Sequence, residues 1–381
     1  MLKLLFPLIT VLLMSACAPQ AVPSYEADIP PIRGVWLTNV DSDVLFSEKT
    51  IVEAVNFLAD HGFNTVYVVM WNDAHTLFPS QVSHKYLGYS IDPRLAGRDP
   101  LQEIIDAGHT RGLRIIPWFE YGFAASFKKE GGIILQKYPH WAARDTSGAL
   151  LTKNGFEWLN AYHPEVQTFI SEIILELVRN YDVDGVQGDD RLPAQPVEGG
   201  YSEYTKQRYA DDHDGAAPPN DPRSEKFKRW RADILNAFGK KLYTDIKAIR
   251  PELCVSWAPS VYPWSYDEYL QDWPNWIKGG YADEIIPQNY RYDIARYIST
   301  LESLSADSLG LTKEQHSRIT PGILMNVGKY LVPQDYLEAA ITSNRRLGYD
   351  GEVFFFYEGL VKENHKLGKV ISDKFYSSSS N

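Results

Sequence analysis

The order in which apolar runs and helical segments succeed one another constrains this chain more than any other feature. Eight runs rich in Val, Ile, Phe and Tyr follow in line: "IRGVWLTN", "TVYVVMW", "RIIPWFE", "DGVQGDD", "LCVSWAP", "EIIPQNY", "ITPGILMN" and "GEVFFFYE". Segments of helical period lie between them. "SEKTIVEAVNFLADHG" opens on Ser47 and closes at Gly62, "DPLQEIIDAGHTRG" has an acidic start and a Gly stop, and "HPEVQTFISEIILELVRNY" is periodic throughout. Strands joined through helices run parallel, because the crossover returns the chain to the same end of the sheet. Eight such units in order predict an α/β fold, a (β/α)8 TIM barrel. No block repeats at a fixed period, which argues against a solenoid.

Two connections are long for such a fold, residues 72–99 after the second strand and 191–224 after the fourth. Both follow strand C-terminal ends, the face on which barrels of this kind place their chemistry. Long loops there shape a cleft more often than they decorate one.

Composition narrows the partners. The net charge of −11, with no Lys/Arg cluster to interrupt it, excludes nucleic acid as a natural ligand. The 10 Trp and 24 Tyr are a heavy aromatic load, much of which serves packing and which also suits a surface that stacks against sugar rings. The nine His are scattered, without His-x-His on the first strand or any zinc spacing, so no metal is expected. No glycine-rich phosphate loop or Gly-x-Ser-x-Gly elbow follows a strand, and no cofactor is expected.

The amino end, "MLKLLFPLITVLLMSACAPQ", has one Lys and an apolar run from Leu4 to Met14 that is too short to span a bilayer. Residues 1–17 read as a lipoprotein signal peptide, because "MSAC" resembles a bacterial lipobox with Cys17 as the lipidated residue. The plainer reading is a secretory signal cleaved near Ala16 or Ala18. With Cys17 lipidated, Cys254 is the one remaining cysteine and no intrachain disulfide can form. Lipid chains on Cys17 would anchor the protein to a membrane in the cell envelope, and Ala18 after it points to the outer membrane of a Gram-negative host. Residues 18–31, rich in Pro and Ala, read as a tether, residues 32–375 as the folded domain, and 376–381 as a disordered tail.

Residues that close the strands form one rim. Trp71, Asn72 and Asp73 end the second, Trp118 and Glu120 the third, Asp189 and Asp190 the fourth, and Trp257 the fifth. Gln288, Asn289 and Tyr290 end the sixth, Asn326 the seventh and Glu358 the eighth. Carboxylates beside aromatics are what glycoside hydrolysis requires: one acid protonates the departing oxygen, a second carboxylate stabilises or attacks the anomeric carbon, and ring faces hold the sugars. Asp189 is the first candidate catalyst and Asp190 its partner, although on an ideal strand the two point to opposite faces, which leaves one free to bind Arg191. Glu120 and Asp73 are candidate acids or else hydroxyl binders and loop ion pairs. Trp71, Trp118 and Trp257 are candidate sugar platforms or else core. Asp184, before Gly185, reads as a turn or capping residue at the barrel bottom.

"IRGVWLTNVDSDVLF", "NTVYVVMWND" with "TLFPS", "RIIPWFE", "VDGVQGDDR" and "IIPQNY" together resemble the glycosyl-hydrolase-like family ten, in that order and spacing, from Ile32 to roughly Phe356. The resemblance implies a barrel of the bacterial envelope that hydrolyses peptidoglycan glycan strands lacking stem peptides, or another polysaccharide. The fourth-strand motif is also similar to the Val-Asp-Gly-x-x-x-Asp of amylase-type and alpha-galactosidase-type barrels, whose final Asp, the nucleophile, corresponds to Asp189. Chitinase-type barrels carry a Glu acid where Arg191 stands here, so the proton donor must come from another strand or from Asp190. Members active on stem-free strands carry Asn in the place of Glu120. The expected function is therefore a lipid-anchored glycosidase. The alternatives are a glycan-binding lipoprotein that keeps the aromatic rim without cleaving bonds, and a scaffold of the division machinery.

Overall fold

The computed structural model describes residues 30–377. The signal peptide, Cys17 and most of the tether lie outside the described residues. Eight strands form one all-parallel sheet: β1 (Arg33–Leu37), β2 (Thr65–Val69), β3 (Arg114–Phe119), β4 (Gly185–Gly188), β5 (Cys254–Trp257), β6 (Glu284–Ile285), β7 (Gly322–Leu324) and β8 (Glu352–Phe355). Their order is β6-β5-β4-β3-β2-β1-β8-β7. The sheet curls until its two end strands meet, where isolated parallel bridges join Ile285 to Ile319 and Gln288 to Gly322.

Each strand is followed by a helix: α1 (Glu48–Asp60), α2 (Pro100–Thr110), α3 (Pro164–Asn180), α4 (Glu225–Ile249), α5 (Trp273–Lys278), α6 (Ile294–Ser303), α7 (Gln334–Arg346) and α8 (Glu358–Ile371). The helix starts predicted from sequence carry their caps. Ser47 accepts from Thr50 N, Asp99 accepts from Gln102 N ahead of Pro100, and His163 accepts from Glu165 N ahead of Pro164. Helix α3 buries Val166, Phe169, Ile170, Ile173, Ile174, Leu177 and Val178 against the sheet, a stripe at helical spacing.

Inside the curl the strands present large and polar side chains that bond to one another. Trp36 Nε1 donates to Gln187 Oε1 at 2.8 Å, and Gln187 Nε2 donates to Ser256 Oγ at 2.9 Å. Tyr67 Oη and Arg114 Nη2 donate to the two oxygens of Glu284, each at 2.9 Å. Every buried polar group in this chain of contacts has a partner, as the low-dielectric interior demands.

The long connections carry structure of their own. Residues after β2 form a short hairpin, Trp71–Asn72 with His75–Thr76, and the connection after β4 holds a helix, Glu203–Asp212. A third excursion follows β3, with an antiparallel sheet of Ala124–Phe127, Phe156–Trp158 and Thr152–Lys153. Its strands are too short to stand out by period in the sequence.

The folded part also runs further than the tail boundary drawn from composition. Tyr376 is buried, and its Oη donates to Glu352 Oε1 at 2.5 Å. The fully buried Glu352 collects Arg345 and Tyr376 as partners, so the chain end is tied to β8. Residues 378–381 lie outside the described part.

Candidate active site

Strand β4 ends at Gly188, and the chain then turns, with Leu192 N donating to Asp189 O at 3.0 Å. This early end resolves the strand geometry: Asp189 and Asp190 are not on opposite faces of a strand but on a turn that aims both at Arg191. Arg191 Nη2 donates to Asp189 Oδ2 at 2.7 Å, and Nη1 lies 3.0 Å from Asp190 Oδ1. The same guanidinium lies 3.6 Å from Glu120 Oε1, and its Nε donates to Glu120 O at 2.9 Å. Three carboxylates from two strand ends thus share one cation, itself 12% exposed. The ring of Phe156 lies 4.6 Å from the guanidinium carbon.

Other donors fix the acids. Gln288 Nε2, at the end of β6, donates to Asp189 Oδ1 at 2.7 Å. Asn72 Nδ2, from the hairpin after β2, donates to Glu120 Oε2 at 2.5 Å. Burial pushes Asp189 well above the usual carboxylate range, Asp190 adds repulsion, and Arg191 pulls the other way. Burial also pushes Glu120 up, opposed by Arg191 and the Asn72 hydrogen bond. Burial raises Tyr290 too, and the charges of Asp189, Asp190 and Glu120 add to the effect. Its ring stacks on Phe355 at 5.1 Å and meets the Trp36 ring edge-on at 6.5 Å.

Several rim residues expected from sequence sit elsewhere. Trp71, Trp118 and Trp257 are core residues, at most 2% exposed, and none offers a free ring face. Trp71 donates to Gly122 O and packs on Phe169, Trp257 donates to Tyr281 O and packs on Trp276, and Trp118 lies between Trp36 and Phe355. Burying an indole is worth more to the fold than exposing it, provided its N–H finds a carbonyl, as two of the three do. Asn289 is fully buried and donates to Tyr297 O, away from the acids. Asp73 is ion-paired with Lys129 on the excursion after β3. Glu358 accepts from Ser42 Oγ at 2.7 Å and lines a different hollow with Asn39 and Phe46. Asp184 accepts from Ile115 N at 2.7 Å and meets His109 at 2.9 Å, a structural role at the start of β4.

Sequence reasoning missed Asn72 as the group that holds Glu120, and Phe355 beneath Tyr290. It also missed Tyr292, 66% exposed, whose ring meets that of Tyr330 edge-on at 4.8 Å just beyond Tyr290. The pairing of Asn72 with Glu120 spans 48 residues, and no local pattern reports it.

The chain matches the model of the family described as glycosyl hydrolase-like 10 over residues 31–335. This chain belongs to that family. Its class of chemistry is glycoside hydrolysis. It is 26% identical over 321 residues to the glycosyl hydrolase DigH of Escherichia coli K12, covering 78% of this chain and 70% of the relative. Glycosyl hydrolase YngK of Bacillus subtilis is 25% identical over 302 residues, which span 68% of this family member and only 54% of YngK. Among solved structures, the glycoside hydrolase domain of PgaB (BpsB) from Bordetella bronchiseptica superposes with a TM-score of 0.64 over 90% of this chain and 99% of that one. Identity to it is 14%, so the likeness is one of fold.

Proposed function

We propose that this family member is a (β/α)8-barrel glycosidase anchored to the bacterial envelope through Cys17, and that it cleaves peptidoglycan glycan strands lacking stem peptides. The observation that carries the reading is the gathering of Glu120, Asp189 and Asp190 on Arg191 at the C-terminal ends of β3 and β4. Three carboxylates, one buried and two half-buried, cannot all ionise cheaply beside a single cation, so the cluster holds a proton at a pH where isolated carboxylates have lost theirs. The donors decide where that proton sits. Both oxygens of Asp189 accept from groups that can only donate at those atoms, which favours its carboxylate form. Glu120 Oε1 has Arg191 no nearer than 3.6 Å and is free to carry a proton.

In this reading Asp189 attacks or stabilises the positive anomeric carbon, and Glu120 protonates the departing glycosidic oxygen. Asp190 raises the proton affinity of both by repulsion. Tyr290 on Phe355 closes one wall, and the exposed Tyr292 beside Tyr330 offers a ring face to a sugar further along the strand. The envelope location rests on the "MSAC" lipobox, and the substrate on the family resemblance.

The test is product analysis by mass spectrometry after the full-length protein is incubated with peptidoglycan strands that keep or lack stem peptides. Sugar fragments from stem-free strands are the expected result. Intact strands that nevertheless bind would move the protein to the glycan-binding class.

A further inference from the structure

Outside the acid cluster, the connections after β3 and β4 line an open surface cavity of about 510 Å³. That volume falls within the roughly 300–1,000 Å³ of small-ligand sites. His140, Arg144, Ser147, His163, Tyr201 and Tyr204 are among its lining residues. The backbone around Arg144 is fixed on both sides, since Tyr201 N donates to Arg144 O at 3.2 Å and Arg144 bridges to Leu150. Its side chain is half-buried, yet among the described residues no carboxylate, carbonyl or aromatic ring meets the guanidinium.

The neighbouring charges are all occupied. Asp145 turns its carboxylate into its own loop, accepting from Ser147 N, Ser147 Oγ and Ala149 N. Glu203 pairs with Lys206 at 2.5 Å, and Glu165 pairs with His140 at 2.9 Å. Arg144 is left as the cation of this cavity without a counter-charge. A guanidinium fork fits a planar carboxylate with two parallel hydrogen bonds. A phosphate dianion fits less well, because Asp145 and Glu203 also line the cavity and would repel the second charge.

The remaining wall suits a sugar. His163 Nδ1 accepts from Glu165 N at 3.2 Å, which leaves Nε2–H as a donor, and burial lowers its pKa so that the ring stays neutral. The Tyr204 ring lies 4.4 Å from that imidazole. Ring faces, a neutral N–H and the Ser147 hydroxyl are the groups that hold a pyranose.

We propose that this cavity is a second glycan site that recognises a sugar bearing a free carboxylate, with Arg144 as the residue that reads the charge. The proposal rests on the reading of the protein as a peptidoglycan glycosidase, and it gives that reading a physical basis for selectivity. Once the stem peptide is removed, the lactyl group of each muramic residue ends in a free carboxylate instead of an amide. A strand that keeps its peptides has no carboxylate to offer at that atom.

Binding is measured by calorimetry on the full chain carrying Asp189→Asn, so that affinity does not depend on cleavage. The probes are stem-free strand oligosaccharides, the same oligosaccharides with their carboxylates reduced to alcohols, and oligomers of glucuronic acid. The acid form of the strand is expected to bind about tenfold or more tighter than the alcohol form. Arg144→Gln should erase that preference without moving the melting temperature, and Arg144→Lys should keep part of it. Glucuronate oligomers that bind with the same dependence on Arg144 would support a general uronate site, and selective binding of the lactyl-bearing strands would support the muramic source. Equal affinity for acid and alcohol forms, or a preference that survives Arg144→Gln, would overturn the proposal. Cleavage by the unaltered protein is scored separately, so a strand that binds through Arg144 but is never cut would defeat the glycosidase reading alone.

Discussion

Arg191 faces Glu120, Asp189 and Asp190 with one positive charge against three potential negative ones. Glu120→Gln removes the proposed proton donor, so turnover of natural strands should fall by about 10²–10⁴. Substrates with an activated aryl leaving group, which need no protonation, should lose far less. Equal losses on both would place the acid elsewhere. The second test uses pH. Asp189 and Glu120 have folded pKa values raised above those of the unfolded chain, so in the window between the two the unfolded state binds fewer protons and stability falls as pH rises. Glu120→Gln removes the one of these groups that holds the proton in the proposed mechanism. Its melting temperature, relative to the parent, should therefore climb from pH 4.5 to pH 8, and a flat difference would mean that Glu120 ionises freely.

The sequence made the acids legible because their place after an apolar strand is a local signal. Arg191 was legible as a partner because it stands beside the acids in the chain, whereas Asn72 and Gln288 were not, because they reach the acids only through the curl of the sheet. The three tryptophans misled for a related reason: a Trp at a strand end reads the same whether the next layer is solvent or helix. Only the packing of Phe169 and Trp276 on them separates the cases.

At the level of elements, β4 explains why its motif places glycine before the acids. A Cβ on Gly188 would lie 2.5 Å from Trp257 Cε3 and 2.7 Å from Leu192 O, so the indole of β5 lies across the bare backbone. The small residue lets β5 approach and lets the chain turn at once toward Arg191. Gly188→Ala should cost about 1–3 kcal/mol by overpacking and should lower activity by displacing Asp189. Chemical denaturation alongside a turnover assay checks both, and an unchanged midpoint would show that the Trp257 ring yields freely. Strand and helix order were readable from period alone. The excursion after β3 was not, because strands of two to four residues carry too little alternation to be seen.

For the whole molecule, the described part is one curled parallel sheet inside a layer of helices, and none of those helices is long and apolar enough to cross a membrane. The proposed lipid anchor on Cys17, which lies outside the described residues, has its own test. Cys17→Ser should shift the protein from the membrane to the soluble fraction and abolish incorporation of labelled palmitate, while processing and labelling unchanged in that variant would remove the anchor from the account.

The most direct measurement is the turnover of stem-free strands by Asp189→Asn, taken together with its circular dichroism and its affinity for the same strands. A loss of more than about a thousandfold is expected, with fold and binding retained. Activity within tenfold of the parent would show that the carboxylates gathered on Arg191 are not the catalytic centre.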